Sequence, residues 1–98
     1  MIYSSGVWTV KEGKEDEFRR TWEANVTLVP ADNPGVVFRL FRDVGQPRRY
    51  VSIVGPWKSL DALAAVRSAP EFQQSMERAM ATLESVEVLT YEVVVEVS

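Results

Sequence analysis

Apolar residues recur along this chain with two different periods, and each change of period marks a new element. Tyr3 to Val10 is rich in β-formers and too short for a helix, so it reads as a strand. Lys11-Glu12-Gly13-Lys14 turns the chain. From about Glu15 the spacing becomes helical, with Phe18, Trp22, Val26 and Val29 on one stripe. Glu15, Asp16 and Glu17 occupy the first turn, where negative charge suits the helix dipole. Pro30-Ala31-Asp32-Asn33-Pro34-Gly35 ends this helix. Val36 to Arg42 is a second strand, Asp43 to Pro47 a turn, and Arg49 to Gly55 a third strand, antiparallel to the second. Ser59 caps a short helix running to about Arg67. Ser68-Ala69-Pro70-Glu71 has the form of a capping box with proline in the first turn, opening a helix whose stripe is Phe72, Met76, Met80 and Leu83. Val86 to Val97 is the last and longest strand.

The order β-α-β-β-α-β predicts an α+β fold, the ferredoxin-like plait. Four antiparallel strands carry both helical segments on one face, in a single domain over residues 1–98. A sheet covered on one face should alternate cleanly between apolar and polar residues. These strands alternate only in part. Leu89, Tyr91, Val93, Val95 and Val97 share one face of the last strand, yet Val86, Val88 and Val94 lie on the other. Val36, Phe38 and Leu40 are opposed by Val37 and Phe41. A sheet apolar on both sides with helices for only one predicts a homodimer packed sheet to sheet around a barrel-like centre.

Composition narrows the function. In 98 residues there are no histidines and no cysteines. Disulfides, thiolate nucleophiles, Cys/His zinc sites and a histidine-based triad are therefore excluded. The usual proximal haem ligand is missing too. Proton transfer must use a carboxylate, lysine, tyrosine, the substrate itself or water. Glu15-Asp16-Glu17 reads as a helix start and not a metal cluster, and Gly13-Lys14 lacks the rest of a phosphate loop. A net charge of −3 with no block of like charge argues against nucleic acid and anionic membranes. No apolar stretch approaches the roughly 20 residues that span a bilayer, and no signal peptide is visible, so the expected location is cytoplasmic.

Trp57, at a strand-to-helix junction, either closes the core wedge between sheet and helices or also roofs a pocket for a small apolar or aromatic ligand. Gly6 shares a sheet face with Trp8, and Gly55 shares one with Ile53. The two glycines either relieve strand twist or leave a hollow beneath Trp57. Thr21 and Asn25 fall beside Phe18, Trp22 and Val26 on the inner helical stripe, carrying a hydroxyl and an amide toward the core or along a wet margin. Arg39 alternates with Phe38 and Leu40; it either pairs with Glu92 or Glu96 across a dimer or fixes a substrate oxyanion. Tyr91 and Tyr3 could donate to a phenolate or serve as core aromatics. Asn25, Arg39 and Tyr91 are thus the candidates to orient a reacting oxygen.

Together, Trp8-x-Val10-x-x-Gly13-x-x-x-x-Phe18, Pro34-Gly35, Trp57-Lys58-Ser59 and Ser68-x-Pro70-x-Phe72 resemble the antibiotic-biosynthesis monooxygenase domain of the dimeric α/β-barrel superfamily. The resemblance runs over nearly the whole chain. It implies a homodimer with one pocket per subunit between sheet and helices, lined by Trp57. It also implies a cofactor-free oxygenation of polycyclic phenols or quinols, or, in another branch, haem degradation. The phenol-oxidising members place an asparagine four residues before this tryptophan, where Ile53 stands, and a tyrosine on the next helix, near Leu63. The haem-degrading members use an asparagine and a histidine where Gly6 and a residue near Met76 stand. The pocket expected from the resemblance and the pattern is therefore Gly6, Trp8, Trp22, Ile53, Gly55, Trp57, Leu63 and Met76. It holds neither metal nor cofactor. A cofactor-independent monooxygenase is the first functional reading. A non-enzymatic barrel that binds a small apolar molecule is the second, and isomerisation or cyclisation of a polyketide-like substrate the third.

Overall fold

The chain reverses after its first strand because Gly13, at φ +82°, takes a left-handed conformation while Lys14 N–H donates to Lys11 O. Gly35, at φ +84°, makes a second left-handed turn ahead of the second strand. The computed structural model describes residues 1–29 and 33–98; of the helix-ending segment, Pro30, Ala31 and Asp32 lie outside the described residues. The elements are β1 (Ile2–Val10), α1 (Glu15–Val26), β2 (Val37–Arg42), β3 (Arg49–Trp57), α2 (Leu60–Ser68), α3 (Pro70–Met80) and β4 (Leu83–Glu92). The strands form one antiparallel sheet in the order β2-β3-β1-β4. This is the ferredoxin-like α+β arrangement that the pattern predicts.

The helices cover one face. Phe18 is fully buried, with its ring 5.6 Å from that of Trp8 and 5.2 Å from that of Tyr50. Burying one such side chain contributes about 1.5–3 kcal/mol. Val10, Val54, Leu63, Val66 and Leu83 complete this core. Strand register assigns the opposite face to Tyr3 and Val7, Val51 and Ile53, Val37 and Phe41, and Leu89 and Tyr91. Val37, Phe41 and Tyr91 are 45%, 50% and 48% exposed, so this apolar face is uncovered in the single chain.

Three local expectations are corrected. The capping box at Ser68 does not form: Ser68 Oγ donates back to Ala64 O at 2.6 Å, finishing α2, and Ala69 takes the N-cap position with Pro70 as the first residue of α3. A serine within reach of the carbonyl four residues back satisfies its hydroxyl there first. Ser59 does cap, accepting from Ala62 N–H at 3.0 Å. The last strand begins at Leu83 and not Val86, so Leu83 belongs to the sheet. An irregularity opposite Thr9 and Val10 keeps it on the helix side. The strand also ends at Glu92; of the valines beyond, Val94, Val95 and Val97 are 85%, 78% and 90% exposed.

Candidate functional site

Between the sheet and the three helices lies a cavity of about 480 Å³. That is within the roughly 300–1,000 Å³ of ordinary small-molecule pockets. Its floor is Ser4, Trp8, Ser52, Val54 and Val88 from the sheet, with Trp57 at one end and Phe38 at the side. Trp22, Asn25 and Val29 come from α1 and the residues after it. Leu63, Val66 and Arg67 come from α2, and Phe72, Gln73, Met76, Glu77 and Met80 from α3. The walls are overwhelmingly apolar and aromatic.

The two floor indoles are held by serines. Trp8 Nε1–H donates to Ser52 Oγ at 3.0 Å, and Trp57 Nε1–H donates to Ser4 Oγ at 3.0 Å. Ser4 Oγ in turn reaches Val54 O at 3.4 Å. Each bond ties one strand to its neighbour, since Ser4 pairs with Val54 and Gly6 with Ser52. Both indole donors are therefore occupied, and the tryptophans offer the cavity their ring surfaces. Across from them, Trp22 meets Phe38 edge-on at 6.5 Å.

Asn25 is buried, at 7% exposure. Its Nδ2 lies 3.8 Å from Met76 Sδ, and its Oδ1 has no partner. A buried unpaired carbonyl costs about 1–3 kcal/mol. Thr21, its neighbour on the stripe, instead donates to Glu17 O at 2.9 Å and stays within its own helix. At the rim, Arg67 Nη1 donates to Thr90 Oγ1 at 3.3 Å. Partial burial pulls the Arg67 guanidinium below its ordinary range, and it has no carboxylate partner among the described residues. Glu77 is the one carboxylate lining the cavity among those residues, and it is exposed. No group of three or more potential metal-ligating side chains occurs among the described residues.

Trp8, Trp22, Asn25, Trp57, Leu63 and Met76 are thus brought together around one space. The other expected site residues are not. Gly6 is on the cavity face, but its space is filled by the Trp8 indole: a Cβ there would lie 2.6 Å from Trp8 Cε2. Gly55 is on the opposite face, where at φ +156° a Cβ would meet the Tyr3 ring at 2.6 Å and Ile2 O at 2.9 Å. The two glycines therefore share no hollow beneath Trp57. Ile53, Arg39 and Tyr91 also face away from the cavity, because their register pairs alternate with those of Ser52, Val54 and Phe38. Glu92 sits opposite Ile2 on the helix side, the face away from Arg39.

The displacement of Ile53 has a specific cause. Between the pairs Ser4↔Val54 and Ile2↔Trp57, β3 carries one residue more than β1. This bulge at Gly55 and Pro56 puts Trp57 on the same face as Val54 and Ser52. Counting back four from Trp57 thus lands on the wrong face. Ser4, Ser52 and Arg67 were missed by sequence reasoning. The signal for both serines was available, since each shares the parity of Trp8 or Val54.

Among the described residues, no helix is long and apolar enough to cross a membrane. The fold recurs in solved structures. A mutant form of SnoaB, a cofactor-independent oxygenase from Streptomyces nogalater, superposes with a TM-score of 0.83 at 23% identity, over 97% of this chain and 94% of that one. A proposed antibiotic biosynthesis monooxygenase from Caulobacter crescentus gives 0.81 at 21% identity, over 95% and 89%. One from Deinococcus radiodurans gives 0.79 at 17%, over 100% and 97%. No curated protein matches by sequence. The family model for antibiotic biosynthesis monooxygenases matches residues 1–78, and the chain belongs to that family.

Proposed function

We propose that this protein is a cofactor-independent monooxygenase acting on an electron-rich aromatic, polyketide- or quinol-like molecule held in the cavity between sheet and helices. The observation that carries this reading is an apolar chamber of about 480 Å³ walled by Trp8, Trp22 and Trp57, with isolated polar groups at Asn25, Ser52 and Arg67. Family membership and the likeness to a cofactor-independent oxygenase support it.

In the chemistry this implies, a substrate carbon beside a conjugated carbonyl loses a proton, and the carbanion passes one electron to O2. The two radicals combine to a peroxide anion, which takes back the proton to become a hydroperoxide and then loses water to leave a new carbonyl. One oxygen atom enters the product; the other departs with the two hydrogens of the substrate CH2. The protein's part is to orient the ring, stabilise the anion and keep bulk water from the intermediate. Oxygen uptake with a panel of anthrones and hydroquinones tests the reading. Turnover with labelled O2 should place one labelled atom in the product. No uptake with any of the panel, while the same molecules quench tryptophan emission, would replace it with the binding reading.

That second reading, a non-enzymatic binder of a small apolar molecule, is favoured by one observation. Among the described residues the only carboxylate at the cavity is the exposed Glu77, so no buried base stands beside the ring surfaces. Under either reading the functional unit is a homodimer, supported by the uncovered apolar sheet face of Val7, Val37, Phe41, Ile53 and Tyr91.

A further inference from the structure

Two groups facing the cavity are half-satisfied in opposite senses. Ser52 Oγ accepts the Trp8 indole N–H at 3.0 Å, and among the described residues nothing accepts the hydroxyl's own hydrogen. Asn25 Oδ1 has no donor at all. Both residues are more than nine-tenths buried, at 4% and 7% exposure, and both line the cavity, one from the floor and the other from α1. Tyr50 and Ser75 also bury hydroxyl oxygens without partners, but neither lines the cavity.

We infer that Ser52 and Asn25 form a donor–acceptor pair that selects an aromatic hydroxyketone, its carbonyl oxygen accepting from Ser52 and its hydroxyl donating to Asn25. This rests on the reading of the cavity as the ligand site. A ligand with both groups removes two unmet hydrogen bonds at once, and a site built this way discriminates against analogues lacking either group. The Trp8 N–H polarises Ser52, because a hydroxyl that accepts a hydrogen bond donates a stronger one. Ser52 therefore holds the oxygen on which negative charge gathers when the adjacent carbon is deprotonated. Asn25 fixes the far end of the ring system. Ser52 contacts the reacting conjugated system; Asn25 is a specificity residue.

The pair is tested with three probes of nearly equal size, followed by tryptophan quenching: 6-hydroxy-1-tetralone, 1-tetralone without the hydroxyl, and tetrahydro-2-naphthol without the ketone. The hydroxyketone should bind about tenfold more tightly than either control. Ser52→Ala should abolish its advantage over the naphthol, so that the two bind equally. Asn25→Leu should abolish its advantage over tetralone, so that the two bind equally. Ser52→Thr, which keeps the hydroxyl, should preserve the preference. Equal affinity for all three probes, uniform weakening of all three by either alanine or leucine variant, or loss of the preference in Ser52→Thr overturns the pair while leaving the cavity as the ligand site. Failure of every probe to bind overturns both.

Discussion

The Trp8 indole fills the space beside Gly6, two residues earlier on the same strand, so that a methyl group on Gly6 would sit 2.6 to 2.7 Å from Cε2, Cζ2 and Nε1 of the ring. The glycine is required by that ring and not by its own backbone angles. Gly6→Ala should therefore push the indole out of place and break its bond to Ser52, costing about 1–3 kcal/mol. Urea unfolding followed by far-UV circular dichroism measures the loss, and unchanged stability would show that the ring yields freely.

The bond from Trp57 to Ser4 predicts a second, separable effect. Ser4→Ala leaves a buried indole N–H without its acceptor and should destabilise the fold by about 1–3 kcal/mol. In the Trp57→Phe background, which has no N–H to satisfy, the same Ser4 change should cost about 1 kcal/mol less. A double-mutant cycle by chemical denaturation reads this coupling, and strictly additive losses would mean that the bond contributes nothing.

Much of the fold was legible because helices and strands repeat their apolar residues at different intervals. Phe18 and Trp22, read from their spacing, are buried where the helical stripe places them. The cavity was legible less well. Ile53 was misplaced because a strand bulge is invisible to residue counting. Arg39 and Tyr91 were assigned to chemistry although strict alternation puts them on the side away from the helices. Asn25 could be placed on the inner stripe, but only the packing of α1 against α3 reveals that its amide is buried beside Met76. Ser68 misled for a different reason: its hydroxyl had two backbone partners within reach, and sequence alone does not rank them.

Arg67 offers a third prediction. Its guanidinium is partly desolvated at the rim, paired with the Thr90 hydroxyl and with no carboxylate among the described residues. An anionic naphthalene sulfonate should consequently bind more tightly than a neutral naphthalene, and Arg67→Gln should weaken the sulfonate roughly three- to tenfold while sparing the neutral probe. Burial lowers the guanidinium's proton affinity, so a loss of sulfonate binding on deprotonation would begin only at strongly alkaline pH. Affinities measured from pH 6 to 9 should be flat, and a transition within that range would assign the effect to another group.

Phe41 gives a fourth. It projects from the sheet side opposite the helices and is 50% exposed in the single chain. Phe41→Glu places a charge where a second copy is proposed to pack, and removing that charge from water without a partner costs several kcal/mol. Sedimentation equilibrium at micromolar concentration should show a dimer for the parent chain and a monomer for the variant. A parent chain that already sediments as a monomer removes the proposed assembly.

The chamber is asymmetric in stiffness. On one side its indoles are pinned to neighbouring strands; on the other, Met76 and Met80 present unbranched thioethers with several low-cost rotamers. One wall behaves as an anvil and the other as a pliable jaw. Altered ligand range should therefore be sought by randomising α3, where new shapes can be accommodated without disturbing the strand-to-strand bonds that keep the anvil flat.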